Sequence, residues 1–518
     1  MISSRCFHPI ASFVAGLSTA LTALSATGAA GATAAEMARQ TSIGDCRPMS
    51  PEFAGINAKM LISDPWNTDW ADALKLTGVG NIRYPGGTAG NDWDWKLGRS
   101  ERHQDYSYLP AQVKPAADQA GVTPMWVMNI ITRDIQHGLD GLAEAASAGL
   151  PIRWVEIGNE LYLGRNAELF PTGKEYGQKA KEWIAAIKSV YPDAKCALST
   201  TMKHAGDRTT NWTRDAISTC DNYDALVVHL YVWVGLEPQA PKNEKKPTAE
   251  ERARQQADFD KPDGPARVIA QPLLAWRDLR RNNDLPPNAD LWATEFGERD
   301  FIGATNGTWA LTLFTVNQIH AFLDDGRVSR FCCQLLQNLT VPDGEEEGDT
   351  GRYNPGSPGG VGRSFHLTAM GLAINLFARH TRQADRVAPI VFSDTPLVSV
   401  EGMEPYPAIV GWKFGGAKES SAVLVNFSDQ SYEVATVGFA GPEAAVKQME
   451  GDPREPANSR LIAPKEMGSL PATLSLPPYS ITEVMNISSP LSSPERRPAR
   501  PVPSAPKGLK VQANTETE

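Results

Sequence analysis

Eight short apolar runs, separated by longer amphipathic stretches, occupy the chain from about residue 53 to residue 380. The runs have the length of β-strands, and the stretches between them are long enough for helices. Repeated strand–helix units form a parallel sheet, and eight of them predict a closed barrel. The predicted strands are Phe53–Asn57, Asn81–Tyr84, Pro124–Asn129, Arg153–Gly158, Lys195–Thr200, Ala225–Tyr231, Asp290–Glu295 and Arg330–Gln337. Helical stretches include Thr172–Tyr191, Ala266–Arg281 and Gly307–Asp325.

The pattern changes after Ala378, where short strand-like runs such as Ala422–Phe427 and Ser480–Val484 alternate with clusters of turn residues. This alternation is typical of antiparallel sheets. We therefore expect an α/β protein, with a (β/α)8 TIM barrel over residues 35–385 and a C-terminal antiparallel β-sandwich domain over residues 386–488. Residues 489–518 are rich in Pro, Ser and Arg and predict a linker or tail.

The first 34 residues have the pattern of a secretory signal peptide. Arg5 and His8 precede an apolar, Ala-rich stretch, and Ala32-Thr33-Ala34 offers a small-residue cleavage site. No other segment is apolar over the length that a membrane span needs. The sequence thus predicts a secreted or periplasmic/extracellular protein without a membrane span.

The formal net charge of −10 argues against two classes of partner. Nucleic acids and anionic membranes both favour a basic protein surface. Five cysteines lie outside the signal segment, and an odd number leaves at least one thiol unpaired within the chain. Cys196 and Cys220 lie near the starts of successive predicted strands, so a bridge between them is one alternative and buried free thiols are the other.

Two long loops follow predicted strands six and eight, at residues 236–265 and 339–362. Loops after barrel strands lie on the catalytic face and can shape a cleft. The second loop contains the acidic run Asp343–Asp349. This run lacks the oxygen spacing of an EF-hand, so a solvated loop is favoured over a cation site.

Two glutamates end predicted strands four and seven. Glu160 closes the run Trp154–Glu160, and Glu295 closes Leu291–Glu295. Active sites form at the C-terminal ends of barrel strands, and strands four and seven lie across the barrel from each other. Hydrolysis of a glycosidic bond needs two carboxyl groups, one protonated and one ionised. The pattern predicts that Glu160 and Glu295 are catalytic; for Glu160 the alternative is a loop cap.

The second predicted strand ends with Arg83, and Pro85-Gly86-Gly87 follows. Arg83 is either a structural ion-pair partner or a cation that keeps a catalytic carboxylate ionised. The glycine-rich turn lets backbone amides approach a sugar. Trp93 and Trp95 come next and offer aromatic faces for sugar C–H groups, with core packing as an equal alternative.

Further polar side chains end other predicted strands. His229 and Tyr231 are two residues apart on strand six, so they share one side of the sheet. A His and a Tyr that point together at a strand end are favoured as lining of a site. Asn129 at the end of strand three and Gln337 at the end of strand eight are weaker candidates for substrate binding.

These motifs resemble clan A glycoside hydrolases. Gly158-Asn159-Glu160 looks like the acid/base signature of the clan, and Thr294–Gly297 looks like its nucleophile strand. Arg83–Gly87 is most similar to family 51, the α-L-arabinofuranosidases. The general layout also resembles family 79, the β-glucuronidases and heparanases, and family 39. In all three families a β-sandwich accompanies the barrel, and the resemblance covers most of residues 50–488.

The resemblance implies a retaining mechanism with Glu160 as the acid/base and Glu295 as the nucleophile. It implies that Asn159 donates a hydrogen bond to the sugar 2-hydroxyl, and that Arg83, His229 and Tyr231 support the nucleophile. The residues after Gly87 match no single family. The implied substrate is a plant or algal poly- or oligosaccharide, most like an α-L-arabinofuranoside.

Several alternatives remain open at this stage. A glucuronidase-like or endo-acting glycanase would fit the same motifs, and Arg133 and Lys203 near strand ends keep a uronic acid substrate open. A non-catalytic carbohydrate-binding protein on a degenerate barrel would bind sugar without turnover. A purely structural extracellular protein would not need polar residues at so many strand ends. We expect neither a metal nor an organic cofactor, and the oligomeric state is unknown.

Overall fold

The computed structural model describes residues 38–58, 68–101, 107–201, 207–239, 246–282, 285–343, 364–416, 419–489 and 491. Eight parallel strands close into a barrel, which confirms the predicted fold class. Each predicted strand is present, with ends that differ by a few residues. In chain order the barrel strands are Ala54–Asn57, Asn81–Tyr84, Thr123–Met128, Trp154–Ile157, Lys195–Ser199, Ala225–Trp233, Asp290–Arg299 and Val328–Cys333.

Helices connect the barrel strands and cover the outside of the barrel. The fourth connection shows why they form where they do: Thr172 and Glu175 make a capping box that satisfies the first N–H groups of the helix Gly173–Val190. The helices are Thr68–Thr77, Pro110–Ala120, Ile135–Ser147, Gly173–Val190, Asp207–Thr210, Trp212–Thr219, Ala249–Phe259, Gly264–Asn282, Trp309–Asp325 and Ala369–Arg382. Among the described helices, none is both long and apolar enough to cross a membrane.

Polar and charged side chains lie inside the barrel at several levels along its axis. Near the N-terminal ends of the strands, the guanidinium of Arg330 lies 3.8 Å from the ring of Trp154 and 4.9 Å from that of Trp292. One level higher, Asn81 donates to the carbonyl of Glu52 at 2.6 Å. The level above that holds the charged side chains of the candidate site.

The seventh strand contains a β-bulge. Along the sixth strand Val227 and His229 are two residues apart, but their partners Trp292 and Glu295 are three apart. An extra residue re-aims the side chains that follow it. As a result, the consecutive residues Thr294 and Glu295 both make hydrogen bonds inside the barrel, which strict alternation would forbid.

The C-terminal domain is built on one large antiparallel sheet. Its order is Thr41–Ile43, Arg386–Phe392, Ile409–Gly415, Ser420–Asn426, Ser480–Ile487, Ala445–Glu450 and Lys465–Ser469, with Arg47–Pro48 also paired to Arg386–Phe392. The assignment of residues 35–385 to the barrel is therefore wrong for Thr41–Pro48, whose two short strands join the sandwich. Strands this short carry no readable periodicity, and their pairing spans most of the chain.

Both faces of the large sheet are covered. Leu424 faces a small second sheet, Tyr432–Ala435 with Thr473–Leu476, in a separate apolar core. Val423 and Val425 face the barrel helices in the main core. Three further two-stranded sheets complete the described structure: Trp93–Asp94 with Arg99–Ser100, Thr340–Pro342 with Phe365–Leu367, and Leu397–Val398 with Tyr406–Pro407.

Several further predictions fall on loops, cysteines and termini. The segment 236–265 contains the helix Ala249–Phe259 and is therefore not simply a loop. The five cysteines of the described residues are all free, so the Cys196–Cys220 bridge is wrong and the alternative of free thiols is confirmed. The predicted signal peptide, Lys203, most of the acidic run after Asp343 and nearly all of the predicted tail lie outside the described residues.

Gly55 tests the packing inside the barrel. A Cβ at this position would lie 2.1 Å from Oδ1 of Asn81, so Gly55→Ala must displace that buried amide. We expect a loss of about 1–3 kcal/mol in the free energy of unfolding, measured by chemical denaturation. Gly297→Ala is the matched control, because a Cβ there meets no atom within 4 Å. Equal denaturation midpoints for the two variants would contradict this account.

Candidate active site

A cleft of about 310 Å³ opens at the C-terminal ends of the barrel strands. It is lined by Asn57, Gly87, Thr88, Glu160, Tyr231, Glu295, Glu298, Arg299, Phe301 and Gln334. Both predicted catalytic glutamates lie in this wall, although they are far apart in sequence. One oxygen of each carboxylate and Nδ1 or Nε2 of His229 lie within 4.8 Å of one another.

Arg83 lies beneath the cleft and is fully buried. Its Nε and Nη2 donate to the two carboxylate oxygens of Glu156 at 2.5 and 3.1 Å. Its Nη1 donates to Glu295 Oε1 at 2.8 Å and to Asn57 Oδ1 at 3.1 Å. Its Nη2 also donates to Asn159 Oδ1 at 2.7 Å. One guanidinium thus joins strands one, two, four and seven.

Glu295 is held from two sides. Arg83 contacts one of its oxygens, and the hydroxyl of Tyr231 donates to the other, Oε2, at 2.6 Å. The side chain keeps a tenth of its surface exposed, toward the cleft. Both oxygens of this carboxylate are therefore held by hydrogen-bond donors, which fixes its orientation in the cleft wall.

Glu160 has a different set of neighbours. Its Oε1 lies 3.0 Å from Nδ1 of His229 and accepts from the hydroxyl of Tyr162 at 3.2 Å. Arg165 lies 3.9 Å from Oε2. The backbone of Glu160 has φ of 47°, a left-handed conformation that costs a non-glycine residue free energy and that clusters at functional sites.

His229 therefore contacts the predicted acid/base more closely than the predicted nucleophile. Its Nδ1 is 3.0 Å from Glu160 but 3.9 Å from Glu295. Burial lowers the pKa of His229, but the charges of Glu295 and Glu160 and the hydrogen bond to Glu160 raise it above its usual value. Burial raises the pKa of Glu160, but the hydrogen bond and charge of His229 lower it to about 2. The two residues therefore hold one proton between them, and in the resting site it lies on the imidazole.

Asn159 is fixed by two other side chains. Besides accepting from Arg83, its backbone N–H donates to Asn91 Oδ1 at 2.9 Å, and its carbonyl accepts from Asn91 Nδ2 at 2.7 Å. Its own Nδ2 is buried and has no hydrogen-bond partner in the described part of the chain. A buried donor without a partner is costly, which makes this amide a candidate contact for a ligand.

Three predicted binding residues lie elsewhere. Trp93 and Trp95 are buried, and both pack against Tyr84 with ring centroids 5.6 and 5.8 Å away, so core packing and not sugar stacking is their role in this structure. Asn129 is also buried: its Oδ1 accepts from the backbone of Thr132, and its Nδ2 donates to the Trp93 carbonyl. It closes a local turn and does not line the cleft.

Gln337 lies in a short 3-10 helix, Leu336–Asn338, and its side chain is outside the described structure. Gln334, directly after the eighth strand, lines the cleft instead. Sequence reasoning also missed Asn57, at the end of the first strand, and Arg299. Their signal was the same as for the residues that were found, a polar side chain at a strand end. This signal was hidden at Arg299 because the predicted seventh strand ended at Glu295, whereas the strand in the structure continues to Arg299.

Arg133 was one of the two cations that suggested a uronic acid substrate, but it forms ion pairs within the protein. It pairs with Asp94 and Glu101, each at 2.9 Å. It is absent from the cleft wall, whereas Arg299 is part of that wall.

Glu160, His229 and Glu295 are spaced closely enough to hold a metal ion, and in the described residues no other such group occurs. Their contacts favour a different use. Both oxygens of Glu295 already accept hydrogen bonds, and the guanidinium of Arg83 beside them would repel a cation.

The sequence matches no protein-family model and no curated protein. Solved structures do match. A family 51 arabinofuranosidase from Xanthomonas axonopodis pv. citri has a TM-score of 0.63 and 15% identity, over 87% of this chain and 99% of that one. A family 51 α-L-arabinofuranosidase from Bifidobacterium longum has a TM-score of 0.60 and 16% identity, over 86% and 99%. A family 44 xyloglucanase from Paenibacillus polymyxa has a TM-score of 0.51 and 12% identity, over 87% and 100%.

The chain shares the fold of these glycoside hydrolases. At such low identity the likeness establishes the barrel with its C-terminal sandwich and leaves the chemistry to the residues of this site.

The network around Arg83 makes a prediction about stability. In Arg83→Met, the buried carboxylate of Glu156 loses its cationic partner, which typically costs about 3–5 kcal/mol. We expect a lower denaturation midpoint, partly restored in the double variant Arg83→Met/Glu156→Gln because the buried charge is then removed. Arg133→Met, which breaks partly exposed pairs, should cost about 1 kcal/mol or less. Equal losses for the two single variants would show that the buried network contributes little.

Proposed function

We propose that this protein is a retaining O-glycoside hydrolase. The observation that carries the proposal is the pair Glu160 and Glu295, which face one cleft with carboxylate oxygens within 4.8 Å of each other. Retaining enzymes place their two carboxyl groups about 5–5.5 Å apart, whereas inverting enzymes leave about 6.5–9.5 Å for a water molecule. The short separation supports a direct attack by one of the carboxylates.

Glu295 is the nucleophile in this mechanism. Its carboxylate attacks the anomeric carbon while the bond from that carbon to the leaving oxygen breaks. Glu160 passes the proton of the Glu160–His229 pair to the leaving oxygen, so the departing alcohol is neutral. Arg83 and Tyr231 keep Glu295 ionised and oriented, and the unpartnered Nδ2 of Asn159 is the group that we assign to the sugar 2-hydroxyl.

Water completes the cycle. After the first step the Glu160–His229 pair has given up its proton. Glu160 therefore removes a proton from a water molecule that attacks the anomeric carbon from the face the leaving group occupied. The bond to Glu295 breaks, the carboxylate is regenerated, and the sugar leaves with its original configuration. The proton returns to the Glu160–His229 pair, so the site is ready for another turnover without a cofactor.

We propose an α-L-arabinofuranoside from a plant or algal glycan as the first substrate to test, and export from the cytoplasm as the setting. Support comes from the resemblance of Arg83–Gly87 to family 51 and from the shared fold with solved arabinofuranosidases. A non-catalytic sugar-binding protein fits less well. It would have no use for a strained glutamate that shares a proton with a histidine across from a second, ionised glutamate.

Substitution of the two glutamates tests the mechanism. Glu295→Gln should lower kcat by about four orders of magnitude or more, because no covalent intermediate forms. Glu160→Gln should lower turnover by about 10²–10⁴-fold for substrates with poor leaving groups and far less for activated aryl glycosides. The measurement is hydrolysis of an aryl glycoside series that spans leaving-group pKa. Glu168→Gln, on an exposed side chain of the same loop as Glu160, is the matched control. An unchanged rate in either catalytic variant removes that residue from its role.

A second candidate substrate is an anionic sugar such as a uronic acid, as in a glucuronidase-like enzyme. The observation in its favour is Arg299, an exposed cation in the cleft wall with no ion pair in the described part of the chain. Its guanidinium lies over the rings of Tyr231 and Trp233, at 5.5 and 5.9 Å, so it is held beside the nucleophile. An arginine presents a planar donor fork that matches a carboxylate.

Arg299→Gln separates the two substrates. If the natural sugar is anionic, KM for an aryl uronide should rise about tenfold or more, because a charge-assisted hydrogen bond is lost, while kinetics on a neutral aryl arabinofuranoside stay the same. Arg133→Gln, on a cation outside the cleft, should change neither. Equal effects of Arg299→Gln on both substrates, or no cleavage of uronides by the wild type, would exclude the anionic candidate.

A further inference from the structure

The two ring nitrogens of His229 have different partners. Nδ1 lies 3.0 Å from Oε1 of Glu160, and Nε2 lies 3.2 Å from the hydroxyl oxygen of Thr294. The side chain is only 5% exposed, so water does not replace either contact freely. In a neutral imidazole one nitrogen donates and the other accepts, and the partners decide which.

The hydroxyl proton of Thr294 already has an acceptor. It is donated to Oε1 of Glu156 at 2.8 Å. Glu156 is fully buried and receives two hydrogen bonds from the guanidinium of Arg83, which favours a carboxylate that only accepts. Thr294 therefore accepts a hydrogen bond from Nε2–H of His229. The hydrogen bonds that run from Arg83 through Glu156 to Thr294 determine this direction.

Fixing Nε2–H leaves Nδ1 as the position that gains or loses a proton. If the Glu160–His229 pair were to lose its shared proton, the Nδ1 lone pair would face the carboxylate of Glu160 at 3.0 Å. That contact is repulsive. The pair therefore keeps its shared proton to a higher pH than it would if neutral His229 could also adopt the Nδ1–H form.

We propose that Thr294 and Glu156 are positioning residues that lock His229 as the Nε2–H tautomer and so keep the acid proton on the Glu160–His229 pair. Neither residue touches the substrate in this proposal. It rests on the proposed function, because the proton matters for catalysis only if Glu160 is the acid.

The bulge in the seventh strand is what makes this arrangement available. Thr294 and Glu295 are consecutive, and one contacts the acid side of the site through His229 while the other is the nucleophile. Without the extra residue, one of the two side chains would point out of the barrel.

Other charged and titratable groups also surround the pair, and the test leaves all of them in place. Glu295 lies 3.9 Å from Nδ1 of His229, and Arg83 acts on both members through its charge. Tyr162 donates to Glu160, and Arg165 lies 3.9 Å from it.

The experiment compares the wild type with Thr294→Val and Thr294→Ser, labelled with ¹⁵N histidine, in two-bond ¹H–¹⁵N spectra across a pH titration. His229→Gln assigns the His229 signals. We expect the wild type and Thr294→Ser to show only protonated His229 or its neutral Nε2–H form. In Thr294→Val the acceptor is lost, so the apparent pKa of the pair should fall by about one unit and the neutral form should be Nδ1–H.

Kinetics supply the second readout. The basic limb of kcat/KM for a poor leaving group should move to lower pH in Thr294→Val by the same amount as the NMR titration, with a loss of about tenfold on that limb. Thr312→Val removes a buried hydroxyl that donates to the Ala369 carbonyl at 2.9 Å, on a helix outside the barrel, and should leave the pH profile unchanged.

A wild-type His229 in the Nδ1–H form would overturn the proposal without any variant. So would a Thr294→Val protein that titrates like the wild type. The spectra need no substrate. A wild type that shows the expected tautomer but cleaves no glycoside would therefore disprove the proposed function, and the assignment of the His229 tautomer would still hold.

Discussion

The buried guanidinium of Arg83 is the group on which the rest of the site depends. A cation at zero exposure inside a barrel is strongly unfavourable unless its donors are matched, and here they reach the carboxylates of Glu156 and Glu295 and two amide oxygens. Because these partners come from strands one, four and seven, satisfying one charge fixes the relative positions of three strand ends. The buried rings of Trp154 and Trp292 at the level below, on either side of Arg330, help to exclude water and so strengthen each of these contacts.

Most of the barrel could be predicted from the sequence because each of its strands is a local signal. A buried parallel strand is a continuous apolar run, and all eight runs were read within a few residues of their true ends. The same reasoning failed for Thr41–Ile43 and Arg47–Pro48. These strands are two or three residues long, and they are strands only because Arg386–Phe392 lies beside them. Pairing between residues more than three hundred positions apart leaves no trace in the local pattern.

The candidate site divides in the same way. The barrel topology brings the C-terminal ends of all eight strands together around one cleft. Polar residues at those ends could therefore be predicted as site residues, as for Glu160, Glu295, Arg83 and Tyr231. Trp93 and Trp95 could not be placed from sequence, since a large aromatic ring suits a sugar face and a core equally well, and here their packing with Tyr84 decides for the core. The β-bulge could not be predicted either, because nothing in the sequence around Thr294 and Glu295 indicates that both side chains point inward. For that reason the contact from Thr294 to His229 is a finding of the structure alone.

The two glutamates of the cleft are chemically identical, and their neighbours make them different. Glu295 lies between an arginine, which keeps its charge at every relevant pH, and a tyrosine whose pKa is raised well above its usual value by burial and by Glu295 itself. Neither neighbour exchanges a proton near neutrality, so the hydrogen bonds to Glu295 stay the same across that range. Glu160 instead faces a histidine, whose proton is mobile in that range. The carboxylate with fixed partners is suited to attack carbon, and the one with a titrating partner is suited to carry a proton. The division of roles proposed for this site therefore follows from which neighbour can titrate, independently of any likeness to other proteins.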